Sequence, residues 1–235
     1  MTIKGKIYHC ITHYLGMIMR RYYFEDFVRV YPNGIVYDKL GRKGKPDKNS
    51  INNFLNHLKF YNFASQFCKN KHVVDIGCGS GYGCEVLTKS GAASVNGSDL
   101  SKSAIKFAKA QYGDFAKFLV SGITNLNKYE DNSFDITIAN EVLEHIKEYG
   151  KVDCAIKELV RITKPKGLII IGTPNSELLS DHGFYFNEIN TLIQKYFTKF
   201  IIFENALIPF GIKENIWKKR LLDGQTGIII SERIN

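Results

Sequence analysis

The sequence lacks the features that mark disulfide-rich, zinc-binding and membrane-spanning proteins. Its five cysteines stand at positions 10, 68, 78, 84 and 154, and no two of them have CxxC spacing. An odd count without such pairs argues against a disulfide framework or a cysteine-bound zinc, and predicts free thiols in a reducing compartment. No uninterrupted run of about 18 apolar residues occurs, so a membrane-spanning helix is not predicted.

Acidic residues are fewer than basic ones, at 23 Asp and Glu against 32 Lys and Arg, which gives a formal net charge of +9. Such a chain can meet nucleic acid, an anionic membrane face or a phosphorylated molecule, and its dispersed basic residues do not choose among these. The stretch after Lys4 and Lys6 is broken by polar residues and has no convincing cleavage site. We therefore expect a cytoplasmic location, with peripheral membrane contact left open.

The pattern of the chain divides it into two regions. Residues 1–50 show no strand and helix alternation, and we expect an aromatic N-terminal helical extension that either caps a substrate pocket or merely packs on the domain. Residues 51–235 alternate strand-like and helix-like segments, which is typical of a parallel sheet covered on both faces. Near 205–224 apolar residues mix with lysines, which suits a lid, an interfacial membrane helix or a segment packed on the sheet.

Hydrophobic periodicity places the individual elements. The predicted strands are 72–76, 94–98, 117–121, 134–139, 167–172, 199–204 and 226–231, and the predicted helices are 49–68, 82–90, 101–112, 150–163 and 187–196. Leu55 is expected on the buried face of the first helix. Ser101 is expected to cap the N-terminus of the third.

The most informative stretch is an apolar run, 73–76, that breaks into glycines at 77, 79, 81 and 83 before a helical segment. This layout predicts a strand, a tight turn and a helix start, where glycine permits positive φ and close approach of a ligand. The dinucleotide fingerprint GxGxxG would need glycine at Tyr82 or Cys84, and the Walker Gly-Lys-Ser/Thr triplet is absent. Diphosphate cofactors are therefore disfavoured.

Three further segments follow in order: Asp99 after a second strand, the run 133–146 containing Asn140-Glu141-Val142-Leu143-Glu144-His145, and the run 159–175. Together with the glycine turn they resemble the class I S-adenosylmethionine-dependent methyltransferases over roughly residues 55 to 205. The likeness is greatest to the small-molecule (type 11) branch that includes the ubiquinone-pathway O-methyltransferases. The resemblance implies an α/β, Rossmann-like three-layer sandwich with a seven-stranded, mostly parallel sheet in the order 3-2-1-4-5-7-6, strand 7 being antiparallel.

The resemblance also implies the cofactor, S-adenosylmethionine, with S-adenosylhomocysteine as product. Asp75 and the glycines would hold its amino-acid end, Asp99 both ribose hydroxyls, and Leu100 the adenine. The full expected set is Asp75, Gly77, Cys78, Gly79, Gly81, Tyr82, Asp99, Leu100, Gly122, Ile123, Thr124, Asn140 and Glu141. Many relatives place an aspartate at the position of Ile123, so adenine recognition here would rest on the Ile123 backbone and apolar packing.

Methyl transfer to a hydroxyl group requires a side chain that removes the hydroxyl proton. Glu141, Glu144 and His145 are spaced i, i+3 and i+4, which predicts one shared helix face. They can act as a base, orient other groups, or hold the divalent ion that the resemblance associates with such a run; metal is the least favoured of the three. His182, in the loop after strand 5, is a second base candidate, and a plain surface loop is the alternative.

The sequence therefore predicts a methyltransferase acting on a small molecule, with a hydroxyl oxygen as the favoured acceptor. Sugars, quinone or lipid precursors and specialised metabolites remain open as substrates. An RNA methyltransferase is the alternative favoured by charge, although no Asn-Pro-Pro-Tyr type motif or catalytic cysteine context is present. A non-catalytic scaffold that binds S-adenosylmethionine is the second alternative.

Overall fold

A computed structural model describes residues 29–32, 36–37, 48–176, 183–204 and 226–233. Most of the predicted cap, residue His182 and the predicted lid over 205–224 lie outside these residues. The main strands are β1 (His72–Ile76), β2 (Ser94–Asp99), β3 (Lys117–Val120), β4 (Phe134–Asn140), β5 (Thr163–Pro174), β6 (Phe200–Glu204) and β7 (Thr226–Glu232). The helices are α1 (Lys48–Ser65), α2 (Tyr82–Lys89), α3 (Lys102–Tyr112), α4 (Leu143–Lys147), α5 (Val152–Ile162) and α6 (Phe186–Tyr196).

The strands form one sheet in the spatial order β3-β2-β1-β4-β5-β7-β6. Strands β1 to β5 pair in parallel, and β7 runs antiparallel to both β5 and β6. A separate short hairpin pairs Arg29–Val30 with Val36–Tyr37. The predicted Rossmann-like α/β fold is confirmed. Because β1 lies between β2 and β4, the loops that follow these three strands meet at one edge of the sheet.

Both faces of the sheet are covered by helices, and each face carries its own apolar core. On one face Val73 and Ile138 pack with Phe60 of α1, Leu87 of α2 and Ile105 of α3. On the other face a second core joins the sheet to α5 and α6, and it includes Val74, Ile76, Ala139, Ile156, Leu159, Ile189 and Ile193. Each fully buried aliphatic side chain of this kind contributes about 1.5–3 kcal/mol.

Local signals set the ends of the helices. The Ser101 hydroxyl accepts a hydrogen bond from the Ala104 N–H at 3.1 Å, which confirms the predicted cap of α3. Leu55 is 47% exposed, so its predicted place on the buried face of α1 is wrong. That face carries Phe60, Tyr61 and Ala64 instead. Within the described part of the chain, no helix is long and apolar enough to cross a membrane.

Candidate active site

The turn after β1 is held against β2 by its backbone. Gly77, Gly79 and Gly81 have φ values of 81°, 51° and 93°, a region that side chains other than glycine rarely adopt. The N–H groups of Gly77 and Cys78 both donate to the Ser98 carbonyl, at 2.7 and 3.0 Å. The turn leads directly into α2, which begins at Tyr82. The first N–H groups of a helix have no partner within the helix and can bind an anion.

Asp99 joins this turn to the start of α3. Its Oδ2 accepts from the Gly79 N–H at 3.0 Å, and its Oδ1 accepts from the Ser101 N–H at 2.8 Å. Burial raises the pKa of Asp99, and these two N–H groups and the charge of His145 act in the opposite direction. The carboxyl group is thus fixed at the end of β2 and retains lone pairs for a ligand.

An apolar surface lies beside Asp99. Leu100 is 77% exposed, although it follows directly on a buried strand. Its Cδ1 lies 3.2 Å from the point that a Cβ on Gly122 would occupy, so glycine leaves room for Leu100 over the end of β3. Ile123 is buried in the core with Leu126, so its side chain does not line this surface. Thr124 is half-buried beside it.

Asp75 is a buried acid beneath the glycine turn. Its Oδ2 accepts from the Tyr61 hydroxyl at 3.0 Å and lies 3.7 Å from the Cys84 Sγ. Its Oδ1 is buried and has no hydrogen-bond partner. Burial raises the pKa of Asp75 to about 7, although the Tyr61 hydroxyl favours the charged form. Buried acceptors are rarely left without a partner, so a ligand group that donates is expected here.

Asn140 and Glu141 end β4 on the other side of β1. The Asn140 Oδ1 is a second buried acceptor without a partner. Glu141 has φ 53°, a left-handed conformation that costs a non-glycine residue about 1–2 kcal/mol. Its Oε2 lies 2.8 Å from the Nε2 of His57 on α1. Strained residues of this kind persist at functional sites, because the surrounding structure holds them in place.

The predicted shared face of Glu141, Glu144 and His145 is wrong, because α4 begins only at Leu143 and Glu141 lies before it. Glu144 is buried and its Oε2 accepts from the Thr173 hydroxyl at 3.3 Å. The His145 side chain is 49% exposed, with its Nε2 3.9 Å from the Glu144 Oε1. Among the residues that the structure describes, no three His, Cys, Asp or Glu side chains are grouped to hold a metal ion.

The pKa of Glu144 predicts a pH-dependent stability. Burial raises it from 4.5 to about 8, so the folded protein keeps a proton that the unfolded protein releases. The corresponding stability is present below about pH 4.5 and is lost as the pH rises through about 8. Glu144→Gln stays neutral, and we expect it to exceed the wild type by on the order of 3 kcal/mol at high pH. Denaturant unfolding checks this: the difference should vanish near pH 5, and a constant difference would contradict it.

Two residues that contact Tyr82 or Asp75 were not among the predicted set. His57 and Tyr61 stand on α1, where their i, i+4 spacing continues from Phe54 and places all three towards the glycine turn. The Phe54 and Tyr61 rings each contact the Tyr82 ring edge-on, at centroid distances of 5.3 and 5.8 Å. In the sequence, His57 stands out as a polar residue within an otherwise apolar helix face. Only the fold shows that it contacts Tyr82 and Glu141.

A family model described as "Methyltransferase domain" matches residues 74–171, from β1 to β5. A ubiquinone biosynthesis O-methyltransferase of Coxiella burnetii is 36% identical over 110 residues, which cover 46% of this chain and 45% of that protein. One from Bradyrhizobium diazoefficiens is 36% identical over 104 residues, covering 44% and 40%. The chain therefore carries a methyltransferase domain over residues 74–171. It spans less than half the length of these curated relatives.

Solved methyltransferase structures share the fold. The N-methyltransferase NodS from Bradyrhizobium japonicum superposes with a TM-score of 0.58 at 15% identity, covering 81% of this chain and 100% of that one. A TehB-like S-adenosylmethionine-dependent methyltransferase from Corynebacterium glutamicum gives 0.59 at 18% identity, covering 79% and 97%. These likenesses agree with the predicted Rossmann-like fold, and the family model supports the predicted resemblance over residues 74–171.

Proposed function

We propose that this methyltransferase binds S-adenosylmethionine at the carboxyl ends of β1, β2 and β4 and methylates a hydroxyl oxygen of a small molecule. One observation carries the proposal: the glycine turn is tied through the Gly79 N–H to the Asp99 carboxyl, at 3.0 Å. A carboxylate fixed beside the glycine turn suits a ribose diol, which donates two hydrogen bonds. The curated relatives are named as O-methyltransferases, which supports an oxygen acceptor.

The residues present fit the cofactor at both of its ends. Exposed Leu100 offers an apolar surface for adenine beside Asp99. At the other end, Asp75 Oδ1 and Asn140 Oδ1 are buried acceptors that lack partners, as an ammonium group requires. The first N–H groups of α2 suit a carboxylate. S-Adenosylmethionine, when bound, supplies a methyl group activated on a positively charged sulfur.

The chain's own task is to align the acceptor, exclude water and take up a proton. Glu144 is poorly suited to be the base, because burial raises its pKa to about 8 and it is mostly neutral at pH 7. His145 is half exposed, 3.9 Å from the Glu144 Oε1, and close enough for its charge to act on Asp99. We therefore assign the base to His145. His182 stays a second candidate.

His145→Ala is expected to lower methyl transfer about 100-fold, the usual contribution of a general base. Its affinity for S-adenosylmethionine should stay within about threefold, because Asp99 and the glycine turn are untouched. Turnover is measured with a small-molecule probe that carries a hydroxyl group, and cofactor affinity is measured by titration calorimetry. His72→Ala, at the opposite end of β1, is the matched control and should change neither. Equal turnover of the His145 and His72 variants would contradict the assignment.

The function itself is tested with methyl-labelled S-adenosylmethionine and three probes, a catechol, a sugar alcohol and bulk RNA. Label transferred to a hydroxyl of either small molecule is the expected result. Salt-sensitive transfer to RNA alone would overturn the small-molecule proposal. Cofactor binding without transfer to any probe would favour the non-catalytic scaffold, and absence of cofactor binding would overturn the proposal as a whole.

A further inference from the structure

His57 forms a hydrogen bond at each ring nitrogen, and the two partners come from different elements. Its Nδ1 lies 2.5 Å from the Tyr82 hydroxyl, at the start of α2, and its Nε2 lies 2.8 Å from the Glu141 Oε2, just after β4. The side chain is 19% exposed. One residue of α1 therefore spans the space between the glycine turn and the end of β4.

The chemistry of the partners orients this chain of hydrogen bonds. A carboxylate only accepts, so the His57 Nε2 carries the proton and donates it to Glu141. The Nδ1 of a neutral imidazole then accepts, and the Tyr82 hydroxyl donates to it. Burial raises the pKa of Tyr82 well above 10, so its hydroxyl keeps the proton that it donates. The Tyr82 hydroxyl is left with acceptor lone pairs.

The sheet order places this chain at one end of the proposed cofactor site. Asp99 ends β2 and Leu100 follows it on one side of β1, whereas Asn140 ends β4 and Glu141 follows it on the other side. If the ribose and adenine lie at β2, the amino-acid end of the cofactor lies at β4, beside His57 and its partners. The backbone of Glu141 is left-handed there, so both its backbone conformation and its hydrogen bond to His57 fix the position of its carboxylate.

We propose that His57 is a positioning residue for the amino-acid end of the cofactor, which it serves by holding Tyr82 and Glu141 in place across the glycine turn. This inference rests on the proposed function. In this proposal α1 contributes to the cofactor site beside the glycine turn and the end of β4. The site would then discriminate between ligands that carry the amino-acid portion and ligands that lack it.

Two ligands separate this role from general packing. S-Adenosylhomocysteine carries the amino-acid portion, whereas 5′-methylthioadenosine has the same adenosine part without it. In His57→Ala both partners lose a hydrogen bond, and we expect S-adenosylhomocysteine to bind on the order of tenfold more weakly. Binding of 5′-methylthioadenosine should stay within about twofold. Leu55→Ala, an exposed position on the same helix, is the matched control and should change neither affinity.

Two conservative variants divide the pair of hydrogen bonds. The Gln amide reaches the level of Nε2 and can retain the bond to Glu141, whereas the Asn amide reaches the level of Nδ1 and can retain the bond to Tyr82. We expect His57→Gln and His57→Asn to bind S-adenosylhomocysteine with affinities between those of the wild type and His57→Ala. Thermal unfolding of each variant shows whether it is folded.

The outcomes distinguish the two proposals. Selective loss of S-adenosylhomocysteine binding in His57→Ala, with partial recovery in the Gln or Asn variant, supports the positioning role. Equal weakening of both ligands, or of neither, would overturn it and leave His57 as a packing residue. If the wild type bound neither ligand, the proposed function would fail instead.

Discussion

Asp99→Ala is expected to weaken binding of S-adenosylmethionine by about 100-fold or more. The substitution removes a carboxylate that is proposed to accept two hydrogen bonds from the ribose, each worth roughly 1.5–3 kcal/mol when one group is charged. It also removes the acceptors of the Gly79 and Ser101 N–H groups, so the turn loses its tie to the start of α3. Both effects act on the same site and in the same direction.

Titration calorimetry with S-adenosylmethionine measures this effect directly. Asp114→Ala, which removes an exposed aspartate just beyond α3, is the matched control and should bind like the wild type. Thermal unfolding of both variants separates loss of the ribose contact from loss of the fold. An Asp99→Ala affinity within about threefold of the wild type would remove Asp99 from the cofactor site.

Gly77→Ala is expected to destabilise the fold by about 3 kcal/mol and to lower the Tm by roughly 10 °C. Gly77 has φ 81°, where alanine is strained. A Cβ there would also lie 2.2 Å from the Val142 Cγ2, a short branched side chain that cannot swing away. The turn would have to move, and cofactor binding should be lost with it.

The chain offers a control that separates the two costs. Gly150 has φ 63° but a Cβ there would meet nothing within 4 Å, so Gly150→Ala pays only the backbone cost of about 1 kcal/mol. In the double variant Gly77→Ala with Val142→Ala, removal of the branched side chain should recover part of the stability. Denaturant unfolding of the four proteins is the measurement. Equal costs at Gly77 and Gly150 would show that the Val142 contact is unimportant.

Local patterns predicted much of the fold. The strand before the glycine turn and the strand that ends at Asp99 stand within a residue of their predicted bounds, because both are short buried runs closed by turn residues. The cap at Ser101 was predictable for a similar reason: its hydroxyl acts on an N–H only three residues away. The helix expected from Glu141 to His145 begins only at Leu143, and a helix as short as α4 has too little periodicity for its start to be predicted.

The parts of the site that sequence could not supply depend on contacts between distant residues. His57 and Glu141 are 84 positions apart, and nothing in either local pattern indicates that α1 crosses the end of β4. The left-handed backbone of Glu141 removed it from the helix face that spacing had assigned. Ile123 follows β3, yet its side chain packs in the core rather than at the surface.

The most direct test of the cofactor site is a crystal structure of the protein with S-adenosylhomocysteine. We expect adenine to lie against Leu100, the ribose hydroxyls to bind Asp99, and the amino-acid end to lie between the glycine turn and Asn140. His57 should keep its hydrogen bonds to Tyr82 and Glu141. A ligand bound elsewhere, or bound here with its ribose away from Asp99, would contradict it.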